Sequence, residues 1–344
     1  MIRNKKFKNA LLHKPQDIPP IWFMRQAGRY HSHYQNLRKK YSFEELCKNF
    51  ELASEVACGP ISDFDYDIAI LFSDILFPLE SMGLNLRYNP GPIFDSYFNE
   101  KSINEIKPID EIVNDLKFQS KALIETRKRL PENKSLVGFV GGPWTLLSYG
   151  LGIKNDLNKI DPENFSFYEK LLYDILIPTT FKTIEMQLKS DAEIVYVFDT
   201  NAKQLKNDYF LNTYFKKLRE EIFKIFPNKI GYFCKENPLL DDPNAICNNY
   251  LAGMVYGKSE GLENFIKINK TGFLQGDFNP EFLEKPFKEF KDDLNLFLNK
   301  FSKLNTLERS GWICSLNHGV LPKSSESNVK YFIEKTREFF DSID

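Results

Sequence analysis

The sequence predicts an α/β fold, a (β/α)8 barrel that makes a single domain of residues 1–344, and three observations carry that expectation. The length of 344 residues allows two ordinary domains or one barrel of the ~200–400 residue kind. Eight short apolar, β-rich runs alternate with longer segments of helical, 3.6-residue periodicity. The runs are apolar along most of their length, as parallel strands covered on both faces must be. The competing architecture is a doubly wound sheet, and no G-x-G-x-x-G follows any run to support it.

In chain order the strand-like runs fall at residues 20–24, 68–72, 136–140, 193–198, 229–234, 251–256, 272–274 and 312–316. Helical periodicity occupies 43–57, 109–130, 165–188, 211–225, 262–268, 282–301 and 327–340. No internal repeat, low-complexity tract or linker interrupts the alternation. Two long segments, 25–41 and 141–159, follow strands rather than helices. In a barrel that puts them at the C-terminal face, where such folds keep their sites, so 25–41 is the expected active-site loop.

Composition bounds the function. A hydrophobic fraction of 42% with 15% aromatics excludes a mostly disordered chain. Forty-six basic against 47 acidic residues leave a net charge of −1, which argues against nucleic-acid binding. The same figure does not exclude a compact polycarboxylate, which needs only a local cluster, and Arg25, Arg29 and Arg38 share one strand-end segment. Cys47, Cys58, Cys234, Cys247 and Cys314 form no C-x-x-C pair and fit free thiols in a reducing cytoplasm. His13, His31, His33 and His318 leave little material for zinc, so no metal is expected. With no 18-residue apolar run and no apolar leader after Met1, the expected location is cytoplasmic, without a membrane span.

The polar residues gather where the strands stop. After the first run comes Arg25-Gln26-Ala27-Gly28-Arg29, and two guanidiniums four residues apart share a face if the segment turns helically, a candidate anion clamp. Gly28 there could let a ligand approach the backbone. The second run ends in Ser73-Asp74, and a carboxylate among apolar neighbours must find a donor or shift its pKa. Asp74 reads equally as a helix cap and as a site residue. Gly141-Gly142-Pro143-Trp144-Thr145 suggests a tight strand-to-helix turn, with Tyr149 beyond it. Asp199-Thr200-Asn201 and Asn317-His318-Gly319 end the fourth and eighth runs.

These residues resemble the uroporphyrinogen decarboxylase family. The stretch from Pro20 to Tyr30 is similar to its N-terminal signature. Phe72-Ser73-Asp74-Ile75-Leu76 resembles a second-strand motif, and Gly138-Phe139-x-Gly141-x-Pro143-Trp144-Thr145 a further one. Weaker matches are Phe198-Asp199-Thr200, Gln275-Gly276 and Asn317-His318-Gly319 with Leu321-Pro322, all in order over roughly residues 7–340. The resemblance implies a (β/α)8 barrel, stepwise decarboxylation of the four acetates of uroporphyrinogen to give coproporphyrinogen, no cofactor and a homodimer with facing clefts. It implies that Asp74 accepts the pyrrole N–H groups and stabilises the protonated ring. Arg25 and Arg29 would bind side-chain carboxylates, with Arg25 also a candidate proton donor and Arg38 a further arginine. Gln26, Ala27 and Gly28 belong to the same substrate-binding stretch. Tyr149, Thr200 and His318 match positions that hydrogen-bond substrate carboxylates or orient Asp74.

The chain departs from the family pattern at His31 and His33, at Glu236 after the retained Lys235, at Val255 where an acid is usual, and at Asp277 and Asn279, which exchange amide and acid. Around 150–156 the glycine- and serine-rich loop is not evident. Two other readings follow: a corrinoid-linked methyltransferase of the same superfamily, or a non-catalytic tetrapyrrole-binding paralogue. The first calls for zinc held through His-x-Cys, and no histidine stands two residues before any cysteine.

Overall fold

The computed structural model describes residues 2–153, 165–242, 245–258 and 260–342. Its strands are β1 (Ile68–Ile70), a hairpin of β2 (Leu86–Tyr88) and β3 (Pro92–Phe94), then β4 (Ser135–Gly141), β5 (Val195–Phe198), β6 (Ile230–Phe233), β7 (Gly253–Val255), β8 (Phe273–Phe278) and β9 (Trp312–Leu316). Leaving the hairpin aside, the parallel sheet runs β1-β4-β5-β6-β7-β8-β9. Each strand therefore neighbours the next one in the chain, and no switch point reverses the order. That is a barrel's winding and not a doubly wound sheet.

The eighth stave is residues 20–24, and it is less regular than its sequence suggests. Pro19 and Pro20 supply no N–H, so a full ladder cannot form. One parallel bridge joins Ile21 to Cys314. Around it, the Cys314 N–H donates to the Pro20 carbonyl and the Asp67 N–H to the Ile21 carbonyl, both at 3.0 Å. The Asp67 carboxylate accepts the Ile21 N–H at 2.8 Å. The segment thus bonds to both edges of the sheet, at β9 and at β1.

Large aromatic side chains fill the barrel, and small residues opposite make room for them. Tyr196 packs against Trp22 with ring centroids 5.0 Å apart, and a Cβ at Gly231 would fall 2.8 Å from the Tyr196 ring. A Cβ at Gly253 would fall 2.3 Å from Phe273. A chain of hydrogen bonds runs through the interior. Tyr196 donates to Gln275 (3.1 Å), Gln275 to Ser315 (3.0 Å), and Ser315 to the Trp22 carbonyl (2.7 Å).

Several helices break where the periodic pattern runs on. The 43–57 segment divides at Asn49, which is extended and caps Phe50–Phe64 by accepting from Glu51 and Leu52. The 109–130 segment becomes Ile109–Asp115 and Lys117–Arg129. Pro286 separates the 3-10 turn Pro280–Glu284 from the helix Phe287–Ser302. The segment 25–41 contains a helix, Ser32–Arg38, and the N-terminal helix Lys5–Leu11 lies outside the periodic segments read from sequence. The last six residues of 141–159, and 154–156 of the 150–156 segment, lie outside the described residues. Among those described, all five cysteines are free, and no helix is long and apolar enough to cross a membrane.

Asp277 is 6% exposed on β8, where its carboxylate accepts the Leu262 N–H at 3.3 Å. Burial, reinforced by Glu263 and opposed by that hydrogen bond and by Lys300, pushes it up to about 7. An acid whose folded pKa is raised costs stability as pH climbs from the ordinary carboxylate range, ~4, through the folded value, and the loss is constant above that. Asp277→Asn keeps the acceptor and removes the charge. It is expected to raise unfolding free energy at pH 8 by on the order of 2 kcal/mol, the gain shrinking towards pH 4–5. Equal gains at both ends of a urea-melt pH series would exclude the linkage.

Candidate active site

The turn that begins at Arg25 leaves the closing stave between β1 and β9. The Met24 carbonyl accepts the Val320 N–H at 2.9 Å, tying the turn to the chain after β9. Arg25 has φ +60°, the left-handed region, and is not helical as the i, i+4 spacing suggests. Arg25 and Arg29 therefore do not share a helix face: the reversal at Arg25 takes the chain out of αR. Room for the Arg25 side chain comes from Gly319, where a Cβ would lie 2.7 Å from Arg25 Cδ. Gln26 turns inward, fully buried, and donates to the Ile68 carbonyl at 3.2 Å. Its own carbonyl accepts the Tyr30 hydroxyl at 2.6 Å.

Asp74 lies beyond β1, two residues ahead of Leu76, and Leu76, not Asp74, is the N-cap of the next helix. One Asp74 carboxylate oxygen accepts the Leu76 N–H at 2.8 Å, an Asx-type turn leading into the helix Phe77–Ser81. Asp74 also lines the cleft. Burial is the largest influence on its carboxyl and raises its pKa. The Leu76 N–H, the Tyr88 hydroxyl and the Arg25 charge oppose that rise. Tyr88 arrives on the β2–β3 hairpin, an element the helical and strand periodicities do not reveal. Asn89-Pro90-Gly91 between two short runs was the available signal.

At the far wall a buried carboxylate ties three strand ends together. Asp199 Oδ1 accepts the Thr145 N–H and the Thr145 hydroxyl, both at 2.9 Å. Its Oδ2 accepts Tyr214 at 2.5 Å and Tyr232 at 3.3 Å. Thr145 Oγ1 in turn accepts the Asn201 N–H at 3.1 Å. A Cβ at Gly142 would sit 2.2 Å from Asp199, so the Gly141-Gly142-Pro143 turn must be this bare to let the carboxylate in. The lock holds Thr200, the next residue, at the cleft wall.

The cleft encloses about 940 Å³ of empty space, part of it open to solvent. Phe72, Phe139, Phe198 and Phe233 give it aromatic walls, and Arg25, Asp74, Thr200 and His318 supply the charged and polar groups. His318 packs edge-on against Phe233 at 5.7 Å. Burial, then the Arg25, Lys235 and Lys203 charges, push its imidazole down to about 4, so it is neutral at pH 7.

Of the residues singled out in the sequence, Arg25, Gln26, Ala27, Asp74, Thr200 and His318 line this cleft together. Tyr149 is close enough for the Asp74 and Arg25 charges to act on its hydroxyl. Arg29 is exposed outside the lining. Gly28 is outside it too, its missing Cβ facing the Arg25 carbonyl at 3.3 Å. Arg38 is exposed at the end of its helix, where it donates to the Tyr41 carbonyl at 2.6 Å.

Comparison with known proteins decides the family. The uroporphyrinogen decarboxylase (URO-D) family matches residues 2–339. The chain belongs to the uroporphyrinogen decarboxylase family. A uroporphyrinogen decarboxylase of Campylobacter hominis is 35% identical, covering 96% of this chain and 98% of its own. One of Orientia tsutsugamushi is 32% identical over 95% and 96%. A solved methyltransferase from Methanosarcina mazei superposes with a TM-score of 0.76 over 99% of both chains at 16% identity, a likeness of fold.

The departures from the uroporphyrinogen decarboxylase pattern at His31, His33, Glu236, Val255, Asp277 and Asn279 lie outside the cleft lining. His31 is buried and bonds Asp63 at 2.7 Å, and His33 fills the space left by Gly59. Val255 is buried on β7, and Asn279 caps a turn by accepting the Glu281 N–H at 3.0 Å.

Asp199→Ala would strand four donors in the interior. It is expected to cost about 3–5 kcal/mol in urea denaturation and to lower turnover through displacement of Thr200. A variant within 1 kcal/mol of wild type would remove Asp199 from this role.

Proposed function

We propose that Asp74, Arg25, Thr200, His318 and Tyr149 perform the decarboxylation of uroporphyrinogen's acetate side chains, giving coproporphyrinogen without a cofactor. The observation that carries this reading is the pairing of a half-buried carboxylate with an arginine that has no salt bridge among the described residues, at one aromatic-walled cleft. The reaction demands such a pairing. A carboxylate on a pyrrole methylene cannot lose CO2 until its bonding electrons have somewhere to go. Protonation of the pyrrole carbon turns the ring into a cationic sink, and the C–CO2 pair flows into it as CO2 leaves. A second proton on the exocyclic methylene then gives the methyl group, with loss of the ring proton restoring the pyrrole. One proton is consumed per CO2 released.

Asp74 stabilises that cation and accepts pyrrole N–H groups, which requires its ionised form. Arg25 binds the departing acetate and is the candidate donor to the methylene. His318, neutral above about pH 4, donates a hydrogen bond without contributing a charge. Thr200 and Tyr149 supply hydroxyls to carboxylates, and the Arg29 guanidinium, exposed in the segment that carries Arg25, binds a further one. Arg38 lies farther out and receives substrate at the entrance. Gln26, Ala27 and Gly28 shape the backbone under it. We extend the reading to a cytoplasmic homodimer whose partner is the small-molecule substrate, with no role for nucleic acid, membrane or metal. Likeness of fold is what supports the methyltransferase alternative, and the His-x-Cys element it calls for is missing from the sequence.

Anaerobic incubation with uroporphyrinogen III should yield hepta-, hexa-, penta- and tetracarboxylate products, resolved after oxidation. Asp74→Ala should reduce turnover at least about 100-fold with the fold intact, and near-normal rates would overturn the assignment. Because burial raises the Asp74 pKa, kcat/KM should fall on acidification at a pH above the ordinary carboxylate range, ~4. Tyr88→Phe removes a stabiliser of the ionised form and should move that acid limb to higher pH. An unmoved limb would place Tyr88 outside the titration.

A further inference from the structure

Beside the cleft, beyond the ends of β6 to β9, lies a second recess of about 1260 Å³ that shares His318 with it. Lys235 lines this recess directly after Cys234 at the end of β6. Lys203 stands three residues after Thr200, on the 3-10 turn Thr200–Gln204. Both lysines are exposed, and neither ammonium group has a hydrogen bond or salt bridge among the described residues. Lys258, in the same recess, is held by Asp241 at 3.1 Å and is not free in this way.

The two lysines come from different strand ends, yet the charges of both reach His318, as that of Arg25 does. Three like charges acting on one neutral imidazole repel one another, and no carboxylate of the described residues forms a salt bridge with any of the three. An anionic ligand removes that cost. Glu236 and Glu281 also line the recess, so it is no indiscriminate anion trap. A ligand gains only where its carboxylates are spaced to reach the lysines. Lys203 belongs to none of the motifs that identify the family, and Lys235 was read from sequence only as a retained residue.

We infer that Lys203 and Lys235 form a second carboxylate-binding lobe, which seats side-chain carboxylates of the macrocycle remote from the acetate being removed. This rests on the proposed function. Arg25 and Asp74 work at the reacting side chain, and the lysines fix which rotation of the near-symmetric ring presents it. They act on substrate and transition state alike, so their loss belongs in KM and not in kcat.

The test is Lys203→Gln, Lys235→Gln and the double variant, assayed anaerobically with uroporphyrinogen III and titrated by fluorescence with uroporphyrin, its oxidised octacarboxylate. Each single change should raise KM and the uroporphyrin Kd by about 5–20-fold with kcat within about 2-fold, thermal midpoints unchanged. Lys→Arg at each position should keep most of the affinity, and the double variant should lose much of the salt dependence of binding. A double variant with wild-type KM and Kd overturns the lobe. So does a fall in kcat alone. Wild-type protein that binds uroporphyrin but releases no CO2 overturns the decarboxylase reading, and the Kd values then still decide the lobe. Wild-type protein that neither binds nor reacts overturns both.

Discussion

The site depends on how the barrel is closed. A seven-stranded sheet would leave β9 and β1 as open edges, and residues 20–24 fill the gap with few hydrogen bonds because Pro20, like Pro19 before it, carries no donor. Those bonds run to Cys314 on one side and to Asp67 on the other, before the stave ends and the chain reverses at Arg25. The same closure brings the Met24 carbonyl to Val320, and so places Arg25 against Gly319 and beside His318. Asp74 leaves the neighbouring β1. The carboxylate and the cation of the proposed chemistry thus face each other because their strands flank one seam.

The electrostatics follow from that placement. Asp74 is raised by burial yet held partly down by the Leu76 N–H, Tyr88 and Arg25, so its charge is available without being solvated away. His318 receives three cations' repulsion and stays neutral. Asp199 is fully buried and is used differently: its oxygens are occupied by Thr145, Tyr214 and Tyr232. Two acids, beyond β1 and β5 with β4 between them, therefore divide the work, one open to the cleft and one closed into the frame.

Much of this was legible in the sequence. Seven of the eight runs became strands because continuous apolar stretches have few other ways to be buried. The eighth formed only a bridge, since composition records apolarity and a ladder also needs donors. Helix breaks at Asn49 and Pro286 were carried by capping and proline chemistry that a 3.6-residue count overlooks. Six of the residues singled out beforehand line the cleft, because barrels concentrate polar residues where strands stop. Tyr88 was not legible: its place depends on a hairpin that brings its hydroxyl to Asp74, a tertiary fact. Arg29 shows the opposite error, where a plausible spacing assumed a helix that the left-handed Arg25 rules out.

The interlock of Tyr196 with Gly231 and of Phe273 with Gly253 bears on how such a barrel can drift in sequence. Neither glycine can gain a side chain while its ring is present, and neither ring can shrink without opening a void next to the polar chain through Gln275 and Ser315. Each pair must therefore change together or in a fixed order, the ring yielding before the glycine grows. The surface is free of that coupling. The interior beneath the site thus evolves in paired steps, while the residues around the mouth can be exchanged singly.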